Sequence, residues 1–187
     1  MGMKAFNFVV LGAVAALWVA SSTQREKPVI SEAHADSVRS LEQGVSDNPD
    51  DPEAVSKLAQ GYLDAHSPGL AINTIVNAPA RVRNQPPVMH LYARAMLEEG
   101  RSQDALVMEK RVLDRCAELG ASAGTGPRSA GATNTSSCSS YLIASATRRV
   151  DILIELQKLG VEDAQAHPEQ SEIAYHNATR DVGLAVR

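Results

Sequence analysis

Val55-Ser-Lys-Leu58-Ala59-Gln60-Gly-Tyr62-Leu63-Asp64-Ala-His66 is followed, 34 residues further on, by Met89-His90-Leu-Tyr92-Ala93-Arg94-Ala-Met96-Leu97-Glu98-Glu-Gly100. The two stretches carry the same kinds of side chain in the same order. Ala59 answers to Ala93, Leu63 to Leu97, and His66, at a turn, to Gly100. Beyond the turn Ala71 answers to Ala105. The spacing of large apolar residues at three and four is that of a helix buried along one stripe. Alanine recurs where two helices must approach closely, and larger residues recur where they seal the space between helix pairs. Ahead of the first stretch, Asp51 can cap a helix, Pro52 suits its first position and Glu53 adds negative charge to the first turn.

At these residues the chain resembles the tetratricopeptide repeat family, whose unit of two helices recurs about every 34 residues. The first copy, 52–85, reads Val55-x-x-Leu58-Ala59-x-x-Tyr62, then Ala71 and Ala78. The second, 86–119, reads Met89-x-x-Tyr92-Ala93-x-x-Met96, then Gly100 and Ala105. It departs late: Glu109 stands where the family has a large apolar residue, and Val112 where it has a small one. The resemblance covers roughly a third of the chain. It implies an all-α fold, a right-handed stack of antiparallel helix pairs, with the first helix of each pair lining a concave groove. The groove positions it implies are Ser56, Lys57, Gln60, Leu63 and Asp64 in copy one. In copy two they are His90, Leu91, Arg94, Leu97 and Glu98. The family members that grip a terminal carboxylate do so with Lys and Asn. Here Ser56 and Gln60 stand at two of those positions and Arg94 at a third, so that clamp is not carried over intact. A groove holding Arg94 and Lys57 suits a partner segment with both acidic and apolar groups.

Two repeats each leave an apolar face open, so flanking helices are expected to cover them. Before the repeats, Ser31 to Ser46 places Val38, Leu41 and Val45 at helical spacing, and Asp47-Asn48-Pro49-Asp50 ends it; the helical-repeat domain is thus expected over 31–119. After the repeats, 140–187 is expected to form capping helices. Leu142, Ala146, Val150, Leu153 and Leu156 make one stripe, widened by Tyr141, Ile143, Ile152 and Ile154. Gly160 ends that helix, and a last one runs from about Pro168 to Leu184.

Between them, 120–139 is rich in Gly, Ser, Ala and Thr and has no large apolar residue before Cys138, so it reads as a loop. Cys116 and Cys138, the only two cysteines, bracket it. Bonded, they would close its base and stabilise the fold by about 3 kcal/mol. The alternative is two free thiols.

The N-terminus supplies the compartment. Lys4 precedes an uncharged apolar run from Ala5 to Ala20. A basic start followed by such a run marks export. Residues 1–23 therefore read as a signal anchor or a cleaved signal peptide, followed by a tether over 24–30. Crossing the hydrocarbon core takes about 20 residues, which 3–22 just supply, and Trp18 would sit at the outer interface. No cysteine follows the run, so a lipoprotein anchor is unsupported. The domain is expected outside the cytoplasm, in the periplasm if the cell is bacterial, either held at the membrane or released by cleavage.

Chemistry is harder to find. No HExxH, phosphate-cradling glycine loop, GxSxG or CxxCH occurs. Histidines 34, 66, 90, 167 and 176 lack second ligands at helical spacing, so no metal or cofactor is expected. The net charge of −4, without a long basic block, argues against nucleic acid, and no small-molecule substrate is indicated. Asn134-Thr-Ser and Asn177-Ala-Thr match the glycosylation acceptor pattern. The sequence therefore points to a membrane-anchored interaction adaptor or scaffold of the cell envelope. A structural accessory subunit of a larger membrane complex is the alternative, and an enzyme with an unrecognised site the more distant one.

Overall fold

A computed structural model describes residues 32–123 and 138–180. The apolar run 5–20, the tether, most of the Gly/Ser-rich segment and the last seven residues lie outside them. Among the described residues the secondary structure is helical throughout: α1 Glu32–Asp47, α2 Pro52–Asp64, α3 Pro68–Asn77, the single turn α4 Ala80–Arg83, α5 Pro86–Glu98, α6 Ser102–Ala123, α7 Ser140–Lys158 and α8 Pro168–Arg180.

The starts follow local chemistry. The Asp51 carboxylate accepts the Glu53 N–H at 2.9 Å and Pro52 opens α2. Proline also stands at the start of α3 and α5, where its missing N–H costs no helical bond. At α7 the Ser139 hydroxyl accepts from Leu142 N–H at 3.1 Å. The ends are more telling. α2, α5 and α7 all finish in the same turn. Ser67 N–H donates to the Tyr62 carbonyl at 2.8 Å, Arg101 to Met96 at 2.9 Å and Val161 to Leu156 at 3.0 Å. Inside each, His66, Gly100 and Gly160 donate to Leu63, Leu97 and Gln157. This paired bonding needs a left-handed residue. His66 (φ 54°), Gly100 (φ 77°) and Gly160 (φ 71°) supply it. His66 and Gly100, 34 residues apart, thus end their helices with the same backbone turn.

Helices pack largely in chain order. α1 lies on α2, α2 on α3, and both of these on α5; α5 then packs on α6, α6 on α7 and α7 on α8. Ala59, Ala71, Ala93 and Ala105 are all fully buried, as close helix approach requires. At the α1–α2 contact the small residue is Gly61, where a Cβ would come within 2.8 Å of Leu41. The Tyr62 hydroxyl donates across the same contact to Glu42 at 2.5 Å. Burial, and then this hydrogen bond, hold the Tyr62 phenol well above its usual range.

Three differences from the sequence expectation stand out. α6 continues through Gly120 to Ala123 instead of stopping at Leu119. Alanine favours helix and a single glycine costs only about 1 kcal/mol, so the composition that marks a loop does not itself end a helix. Second, the residues that widen the α7 stripe are covered at one end of the helix only. Its stripe Leu142, Ala146, Val150, Leu153 and Leu156 is buried, but Tyr141 is 82% exposed and Ile143 opens to solvent. Ile152 and Ile154 alone join the core with Ala164 and Ala174, because α8 covers only that half. Third, the last helix covers little over its described part, Pro168–Arg180, where Ala174 is the one buried residue and Ile173 and Tyr175 are exposed.

The disulfide is present. Cys116, late in α6, is bonded to Cys138, ahead of α7, with Cα atoms 5.5 Å apart. Both belong to a small cluster with Val112, Leu142 and Ala146.

Candidate interaction groove

The proposed groove residues do not behave alike. Leu63 is fully buried and belongs to the core, and Leu97 packs against the cluster around Met96 and Leu106. Their register puts them on the inner edge of the stripe, where a neighbour covers them. Lys57 is exposed, and its ammonium lies 2.7 Å from Glu53 one turn back. The hydrogen bond to Glu53 holds that ammonium above its ordinary pKa.

Gln60, Asp64, Arg94 and Glu98 form one connected row. The Gln60 amide donates to Asp64 at 2.6 Å. Arg94 Nη1 donates to Gln60 Oε1 at 3.3 Å, and Arg94 Nε donates to Glu98 at 2.9 Å. Gln60 and Arg94 are 34 residues apart, so this bond joins α2 to α5 directly. A guanidinium has five N–H donors; two are used in this row, which leaves others for a partner's carboxylate.

His90 turns elsewhere. Its Nδ1 lies 2.8 Å from Glu109 Oε2 and its Nε2 3.2 Å from the Ser145 hydroxyl. Arg149 Nη1 donates to the other Glu109 oxygen at 2.9 Å. Glu109 has no exposed surface at all. This cluster joins α5, α6 and α7 through one buried carboxylate, and a buried charge is tolerable only when paired in this way. Among the described residues no buried side-chain nitrogen or oxygen lacks a partner.

Ser145, His90 and Glu109 stand in the order of a nucleophile, base and orienting carboxylate. Acyl transfer also needs donors for the oxyanion. Ser145 sits in the interior of α7, where backbone N–H groups are spent on the helix, and Glu109 is already neutralised by Arg149. The row therefore ties three helices together. Sequence reading singled out Glu109 as out of place but not its partners: Arg149 lies 40 residues downstream, across a loop, with no local spacing to announce it.

Among the described residues no group of three or more His, Cys, Asp or Glu side chains could hold a metal ion, and no helix is long and apolar enough to cross a membrane. No family model matches the chain, and neither a curated protein nor a solved structure matches it.

Proposed function

We propose that this protein is a membrane-held adaptor of the cell envelope, whose α2/α3 and α5/α6 pairs are tetratricopeptide-like units stacked right-handedly in register. The groove over α2 and α5 takes a segment of a partner protein, with Lys57, Gln60, Asp64, Arg94 and Glu98 at the contact. The observation that carries this reading is the direct bond between Gln60 and Arg94 at a separation of 34 residues, together with identical turns at His66 and Gly100. The matching turn at Gly160 supports α7/α8 as a third, irregular unit that lengthens the stack.

The Cys116–Cys138 bond favours an oxidising compartment, in keeping with a domain carried out of the cytoplasm by residues 3–22. His90 is better assigned to the Glu109 tie than to partner contact.

The test is photo-crosslinking in the cells that make the protein. A benzophenone amino acid at Lys57 or Glu98 should capture one defined protein, and Arg94→Glu should reduce that product about tenfold, as expected when a charge-assisted contact becomes a repulsion. Capture of nothing from either position, or capture indifferent to Arg94→Glu, would remove the groove from the reading.

A further inference from the structure

A second surface lies on another side of α5. A cleft of about 620 Å³ opens between the α3–α4 region and α6, within the range of roughly 300–1,000 Å³ typical of binding sites. Met89 and Tyr92 of α5 reach its floor along with Ile75 and Met108. At about 100° per residue, Tyr92 points some 200° around the helix from Arg94, so this cleft is separate from the groove. Its rim carries Arg83 from α4 and, all from α6, Arg111, Asp114, Arg115 and Glu118.

The charges on that rim are unequally committed. Arg115 is paired with Glu118 at 2.8 Å. Arg83 is fixed by donating to the Val76 carbonyl at 3.0 Å. Arg111 is exposed and carries no ion pair among the described residues. Three guanidiniums against two carboxylates leave a positive excess beside an apolar floor.

We infer that this cleft docks a partner protein through a short segment in which an acidic side chain is flanked by large apolar ones. The acid meets Arg111 and the apolar neighbours cover Met89, Tyr92 and Met108. The chain's own loop is a poor occupant, because 124–137 contains no acidic residue and no large apolar one. Nothing in this inference requires the groove to bind.

The experiment uses the full chain in mild detergent and a phage-displayed library of random dodecapeptides, panned on the parent protein. Enriched peptides should share Asp or Glu beside Leu, Ile, Phe or Met. They should lose about tenfold or more in affinity for Arg111→Glu, as expected for a charge-assisted contact made repulsive, and none for the equal charge change Arg39→Glu on α1. Arg111 is on the surface, so the variant folds, and circular dichroism checks that it has. Peptides without an acid, binding indifferent to Arg111→Glu, or no enrichment at all would overturn the inference. So would a self-associated form dissolved by Arg111→Glu, which would make the occupant a second copy. Arg111-dependent flotation with phosphatidylglycerol vesicles, without peptide enrichment, would make it a lipid surface.

Discussion

Arg149→Met removes a guanidinium from beside Glu109, the one buried carboxylate among the described residues, while keeping much of the side chain's apolar stem. Glu109 has 0% side-chain exposure, against 21% for Arg149 and 14% for His90. The Arg149 guanidinium and the His90 ring can turn towards water; the carboxylate cannot. Breaking a buried pair by removing one partner costs about 3–5 kcal/mol. The bond to His90 remains in the variant, so the lower end applies, about 3 kcal/mol. In a domain of this size that lowers the melting temperature by about 6–12 °C. Adding Glu109→Leu removes the stranded carboxylate and restores an apolar contact. The double variant should return to within about 1 kcal/mol of the parent, since well-packed apolar replacements of buried ion pairs are often neutral. Urea unfolding followed by circular dichroism at pH 7 measures both. A loss below about 1 kcal/mol in Arg149→Met, or a double variant no better than the single one, would refute the buried tie.

Removing both cysteines as Cys116→Ser/Cys138→Ser should cost about 3 kcal/mol in urea unfolding, the chain-entropy value for a closed loop of this length; the parent under reductant should match the double variant. His66→Gly should gain about 0.5–1 kcal/mol, because the left-handed backbone at φ 54° disfavours a side chain. Gly100→Ala should instead lose stability in the same assay, since its Cβ would meet the Asp163 carboxylate carbon at 2.8 Å. The raised Tyr62 pKa sets a pH dependence. A folded-state pKa above the unfolded value means stability is intact below about pH 10 and falls as pH rises past it, by up to about 1.4 kcal/mol per unit. Tyr62→Phe should flatten that alkaline fall relative to the parent, and equal slopes would contradict the assignment.

The elements most legible in the sequence were those written in local chemistry. Asp51-Pro52 marked the start of α2, Gly160 the end of α7, and the apolar stripe from Leu142 to Leu156 its buried side. The alanines at 59 and 93 and the turns at His66 and Gly100 were legible because the same steric demand recurs after 34 residues. What depended on distant partners was not. Leu63 and Leu97 look like groove residues by position, yet which face a neighbour covers is decided by packing. Position alone points His90 into the groove, because nothing nearby in the chain signals the pull of Glu109 and Arg149. Tyr141 and Ile143 widen the apolar stripe in the sequence as Ile152 and Ile154 do, but α8 covers only the latter half of α7. The Arg111 cleft draws on α3, α4, α5 and α6 at once, so no single stretch of sequence contains its outline.

Register between α2 and α5 can be read directly with paired cysteines and a short rigid bismaleimide, the native disulfide being left oxidised. Units stacked in register run α2 and α5 in the same direction, so Gln60→Cys/Arg94→Cys should be bridged rapidly. Lys57→Cys/Glu98→Cys, offset by about two helical turns, should stay unbridged. Bridging of 57 to 98 as fast as 60 to 94 would mean that the two helices run in opposite directions and that the chain is not built from repeated helix pairs.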